Sequence, residues 1–272
     1  MPTPDLRPMS AGEILDRTAS LYRNNFILFF GISFVSHILV LAWVLTQSAL
    51  QGPPPRIEPR GLRDLVILAG TVVEYVFAYL FAQGPTAFAV SELYFGRRIS
   101  ARASFVEVIR RFGRLTRGVL LSGLTLFTGA VLFVLPGLFF ACRLLVALPA
   151  AVLEDLGARE SFKRSFSLTR HHTGRALAVY AMYVVLRIAA FLLILYPGHL
   201  VAELSRVNPL AAVPWRHAVA FANVSFATLI DPFLTIAATV FYFDLRVRKE
   251  ALDLQLMMGA GESIPAGPMR AS

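Results

Sequence analysis

The chain has 272 residues, of which 56% are hydrophobic and only 16% charged, with a mean hydropathy of +0.63. Soluble domains carry roughly 25% charged residues; here the missing charge gives way to apolar runs of about 17–25 residues, the length that crosses a hydrocarbon core of roughly 30 Å. That excludes an ordinary soluble domain. The net charge of +9 lies between the apolar runs, where lipid headgroups attract it, and argues against nucleic acid as a partner.

In chain order, residues 1–25 are polar and helix-like, without the short apolar core and small-residue cleavage site of a signal peptide. Six spans are predicted, at about 26–50, 65–95, 118–135, 137–153, 176–196 and 218–243. Leu135-Pro136-Gly137 is expected to turn the third into the fourth as a tight hairpin. The connection 51–64, with Pro53-Pro54-Pro55, reads as irregular and extended. The tail 257–272 is rich in small residues and reads as disordered. The lone cysteine, Cys142, falls inside a span and excludes an internal disulfide or a cysteine zinc site.

Nineteen arginines and lysines fall on the side that holds the N-terminus, 96–117, 154–175 and the C-terminal tail, against five on the other. The asymmetry of short loops sets orientation, so both termini are expected in the cytoplasm of a bacterial inner-membrane protein. Three segments on that side share the spacing Glu-x3-Arg-x3-Leu-x-Arg: Glu13/Arg17/Leu21/Arg23, Glu107/Arg111/Leu115/Arg117 and Glu160/Arg164/Leu168/Arg170. Glu to Arg at i, i+4 is the favourable helical orientation for an ion pair. Ser10 and Ser104 precede Glu13 and Glu107 by three residues, a capping-box spacing. The expectation is three tandem units, each an amphipathic helix in the headgroup layer followed by a transmembrane hairpin. Their helices, at about 10–25, 100–117 and 156–172, are expected to turn Arg17, Arg23, Arg110, Arg111, Arg114, Arg117, Lys163, Arg164 and Arg170 toward headgroups.

Five polar residues, His37, Gln83, Arg143, Arg187 and Asp231, lie about 10–12 residues inside their spans, roughly 15–18 Å deep. Charge at that depth costs at least about 2.5–3.5 kcal/mol each, so such groups face inward and pair. Asp231 can neutralise one arginine, and the other leaves a positive excess suited to an anion or a phosphate headgroup. The alternative is an Arg–Asp pair that simply joins two helices. Asp231-Pro232 and Gly84-Pro85 are expected to interrupt helices here, as broken helices do at some transporter sites. Glu74 is expected near Arg206 or Arg216, and the adjacent Glu154 and Asp155 to be solvated. His199 and Glu203 make two ligands, too few for zinc. No nucleophile elbow, P-loop or HExxH motif occurs, so neither a catalytic residue, a metal nor a cofactor is expected.

Three stretches, LDRTASLYRNNF (15–26), LPGLFFACRLLVALPAAVLEDLGARESFKRSFSLTR (135–170) and FYFDLRVRKEALDL (241–254), resemble the membrane domain that precedes the catalytic domain of some bacterial glycerophosphodiester phosphodiesterases and also occurs alone. In such fusions the hydrolysis belongs to a soluble barrel with metal-binding carboxylates and histidines. About 29 residues follow Phe243 here, too few for that barrel. The resemblance therefore implies a stand-alone membrane domain connected with lipids or phosphodiesters. The reading is an all-α polytopic bundle, a non-enzymatic scaffold or regulatory module with anionic lipids, and a protein at its basic helices, as partners. The alternative is a transporter or lipid-handling protein that binds an anionic group near the midplane.

Overall fold

The computed structural model describes residues 7–51, 61–207 and 212–250. The proline-rich connection, the tail, and the side chains of His199, Glu203, Arg206 and Arg216 lie outside the described residues. Among those described there are ten helices and no strand: α1 (Ala11–Asn24), α2 (Phe26–Gln51), α3 (Leu62–Tyr94), α4 (Ala101–Arg110), α5 (Phe112–Leu132), α6 (Val134–Leu144), α7 (Ala147–Leu153), α8 (Ala158–Thr169), α9 (Thr173–Val207) and α10 (Ala212–Glu250).

Five segments are long and apolar enough to span a membrane: Phe26–Thr46, Leu65–Tyr94, Leu135–Leu153, Thr173–Ile194 and His217–Glu250. They match five of the six expected spans, and the chain is an all-α, multi-pass membrane protein. The expected span at 118–135 lies on α5, which is not among the five. Arg114 and Arg117 occupy the start of α5, and the apolar stretch after them, 118–132, is about 22 Å long, short of a full hydrocarbon core.

Helix α10 is the hub. Half of its most apolar window is buried, against 11% for α9. Ile236, Val240, Phe241 and Tyr242 on α10 are fully enclosed in one cluster with Phe29 and Ile32 of α2, Val90 and Tyr94 of α3, Val146 just before α7, Ala150 of α7, and Val179 of α9. The Tyr94 and Phe243 rings stack at 4.7 Å. Outward faces carry Ile27, Leu124, Phe127 and Leu193, all more than 60% exposed, the surface expected against lipid tails.

Local chemistry corrects several expected boundaries. The α5–α6 reversal is made two residues before the Leu-Pro-Gly triplet, by the extended backbone of Phe133. Pro136 then occupies the first turn of α6, where its missing N–H is not needed. Gly129 lets α5 meet α6 closely: a Cβ there would lie 2.9 Å from the Phe140 ring and 3.1 Å from the Gly137 Cα. Neither Pro85 nor Pro232 interrupts its helix. One residue beyond the Thr228 carbonyl that Pro232 leaves without its helical donor, the Leu229 carbonyl accepts the Tyr22 hydroxyl at 2.8 Å. The break occurs at Leu145–Val146, between α6 and α7, and Pro149 sits in the first turn of α7.

The three repeated segments form α1, α4 with the start of α5, and α8, each running into a longer helix. The residue after each repeated glutamate, Ile14, Val108 or Ser161, is at most 1% exposed, so the shared spacing reflects a shared buried face. The segment 100–117 is not one helix, because it breaks at Arg111. Its N-cap is Ser100, which accepts the Ala103 N–H at 3.3 Å, rather than Ser104. Helix α1 does not lie free on the surface. Its ends are fastened to α10 at points about four turns apart, by the Met9 N–H to Asp244 Oδ1 and by Tyr22 to Leu229.

Candidate functional site

Three of the five deep polar residues meet where α2, α9 and α10 cross. Tyr183 and Arg187 are four residues apart and share a face of α9, which sets both against Asp231 of α10. The Asp231 carboxylate accepts the Tyr183 hydroxyl at 2.8 Å and the Arg187 guanidinium at 3.5 Å. Its other oxygen lies 3.3 Å from His37 Nε2 on α2. His37 Nδ1 is 2.8 Å from the Ser33 carbonyl, which can only accept, so Nδ1 carries a proton. Nε2 faces that carboxylate oxygen, so the histidine bridges the α2 backbone and Asp231. Tyr183 completes the set, and sequence reasoning missed it; its spacing of four from Arg187 was the available signal.

The pairing is uneven. The His37 side chain is 9% exposed, that of Asp231 20% and that of Arg187 43%. Arg187 makes only the longest of the three contacts and projects into an open cleft of about 390 Å³ between α9 and α10. Val184, Ile188, Phe191, Ile194 and Phe226 make its walls, and Asn223 supplies a second polar group. Apolar walls, a few polar groups and this volume are the usual features of a small-molecule site. Arg187 lies seven residues from Ile194, about 10 Å from that end of the span.

Gln83 and Arg143 lie elsewhere. Gln83, with Tyr79, Ser122, Tyr180 and Thr235, lines a separate cavity of about 60 Å³, room for a few waters and no more. Arg143 sits at the end of α6 against α8, its guanidinium 4.9 Å from the Phe166 ring centre and 5.9 Å from that of Phe139. The expected single cluster of five is thus a cluster of three, because α6 ends at Leu144 with the Arg143 carbonyl held by Ser165 and the Arg143 guanidinium over the Phe166 ring of α8.

At the end of the bundle where α10 finishes, an ion-pair layer locks the short helices to α10. Asp244, whose side chain is fully enclosed, accepts the Met9 N–H at 2.6 Å, Arg175 at 3.2 Å and Arg248 at 2.9 Å. Glu154 accepts Arg164 at 2.8 Å and the Tyr242 hydroxyl at 2.6 Å. Arg164 also binds both oxygens of Glu250, and these carboxylates hold its guanidinium firmly protonated. Arg111 pairs with Glu107 at 2.5 Å and with Asp155 at 3.2 Å, and Arg114 pairs with Asp155 at 2.6 Å. The hydrogen bond from Arg114 holds the Asp155 carboxyl below the usual range. At the head of α1, the Ser10 N–H and Arg7 hold Glu13 down to about 2.

These contacts correct the expectation that every basic side chain faces headgroups. Arg111, Arg114 and Arg164 turn to protein carboxylates, and Arg17 lies over the Tyr94 ring. Arg110 reaches Glu107 only at 3.7 Å while 73% exposed, and Arg117 donates to the Gly113 carbonyl of its own helix. Of the three expected i, i+4 pairs only Glu107–Arg111 forms, since Glu13 and Glu160 cap their helices instead. Glu154 and Asp155, expected to be solvated, are the partners the arginines use. Asp244 was not singled out at all, although Asp244-x3-Arg248 has helical ion-pair spacing.

The model of the membrane domain of glycerophosphoryl diester phosphodiesterase matches residues 115–256. The chain belongs to that family. The matched stretch runs from α5 to beyond α10 and carries Tyr183, Arg187, Asp231 and most of the ion-pair layer, so the resemblance rests on the parts that build both features. Comparison with curated proteins and with solved structures gives no match.

Proposed function

We propose that this membrane domain is a non-enzymatic module that holds an anionic lipid in the α9–α10 cleft, with Arg187 as the recognising cation. The observation that carries this reading is the exposure of Arg187. It is a charged side chain inside an apolar span, 43% exposed, held by a single 3.5 Å contact to a carboxylate that already serves Tyr183 and His37. A lipid phosphate or carboxylate would supply the acceptors that the cleft lacks, and the apolar walls would take an acyl chain. Arginine near a span end reaches toward the interface, so the headgroup needs only a modest dip. A joining role for Arg187 alone would favour a short, enclosed pair, which is not its geometry.

The domain would sit in a bacterial inner membrane with both termini in the cytoplasm, following the arginine asymmetry. The outward cations, Arg23, Arg110, Lys163 and Arg170, would rest on anionic headgroups and offer a face to a protein partner. Lipid mass spectrometry on gently purified protein tests the cleft. Wild type should retain an anionic lipid that Arg187→Leu loses while remaining folded. Equal retention by the two proteins would sink the reading.

A further inference from the structure

A second cation cluster lies apart from the cleft, at the junction of α6, α8 and α10. Ser165 Oγ and Thr169 Oγ1 donate to the Arg143 carbonyl at 2.6 and 3.4 Å, which seats the end of α6 on the last turn of α8. Lys249 Nζ donates to the Ser167 and Arg170 carbonyls at 2.6 and 3.1 Å, which brings the end of α10 to the same turn. Arg170 closes α8 there. The cations lie within electrostatic reach of one another, Arg143 of Arg170 and Lys249 of both.

No carboxylate among the described residues answers them. Glu154 and Glu250 are taken by Arg164, and Asp244 by Arg175 and Arg248. Arg143 is the most telling member. Its Nε is buried with no acceptor, and its guanidinium contacts only the Phe166 and Phe139 rings. Like charges held together cost energy unless an anion joins them, and so does a buried N–H donor without an acceptor. An anion with several acceptor oxygens removes both penalties, and phosphate fits a guanidinium fork with two flanking cations. The cluster is at the end of the bundle that holds the ion-pair layer, where the charge asymmetry places the inner headgroup layer.

We propose that Arg143, Arg170 and Lys249 form a phosphate-binding site, taking a phosphate borne by an anionic lipid headgroup or free in solution. The test uses the full chain in neutral detergent, in an Arg187→Leu background so that the cleft does not contribute. Dioleoylphosphatidylglycerol and inorganic phosphate are titrated separately, with binding read from the shift in thermal unfolding. At least one probe should bind, and Arg143→Gln should weaken it at least about tenfold, whereas Arg102→Gln, which removes one exposed charge from α4, should not. Response to the lipid alone assigns the site to a headgroup, and response to both shows that the phosphate suffices. Should Arg143→Gln fail to fold, the double variant Arg170→Gln/Lys249→Gln, at exposed positions, should show the same loss. Failure of both probes to bind wild type in this background, or unchanged binding by these variants, overturns the site.

Discussion

Asp231 is asked to serve three donors with two oxygens. Tyr183 takes the shortest contact at 2.8 Å, His37 lies at 3.3 Å, and Arg187 is left at 3.5 Å. Removing the carboxylate alone strands an arginine and a histidine in an apolar span, whereas removing Arg187 as well strands much less. Asp231→Leu should therefore destabilise the protein by about 3 kcal/mol or more, and Asp231→Leu/Arg187→Leu by clearly less. Thermal unfolding of the two variants in the same detergent checks this, and a double variant no more stable than the single one would contradict the pairing. That Asp231 would pair with an arginine could be read from the sequence, since a charge at membrane depth must be answered. Which arginine could not, because Arg143 and Arg187 sit equally deep by residue count. Only the break after α6 sends Arg143 to α8.

At the scale of elements, apolar run length located five spans, because the bilayer imposes one length on every helix that crosses it. It did not locate the breaks. Pro85 and Pro232 are carried inside α3 and α10, while the chain breaks at Leu145–Val146 without proline or glycine at either residue. Proline marks where a break is permitted, and packing decides where it occurs. The repeated Glu-Arg-Leu-Arg spacing likewise pointed to three helices with one buried face, but not to the partners of their charges, which come largely from the turn after α7 and from α10. The α5–α6 reversal depends on Gly129, since the backbone of Gly137 cannot yield to a side chain 3.1 Å away. Gly129→Leu should spread the hairpin and cost about 1–3 kcal/mol, read as a lower unfolding temperature. A melt equal to wild type would show that the two helices are not in close contact.

For the molecule as a whole, the charge asymmetry and the structure bear on one another. The end of the bundle where α1 and α8 meet α10 is also where arginine and carboxylate side chains lock together. If both termini face the cytoplasm, a cysteine replacing Arg102 should react with a membrane-impermeant maleimide only after the cells are opened, and one replacing Arg60 should react beforehand. Cys142 is buried and contributes little background. The reverse pattern would invert the topology.

The fold thus has an ion-paired end and an open cleft along α9, the least buried of the five candidate spans among the described residues. A phosphatidylglycerol analogue bearing a photoreactive acyl chain, reconstituted with the protein in bilayer discs, tests the cleft most directly. Cross-linked peptides should concentrate on Tyr183–Ile194 and Asn223–Phe226 and should fall away in Arg187→Leu. Label spread evenly over the exposed faces of α2, α3 and α9, and unchanged by that substitution, would mean that the cleft holds no lipid.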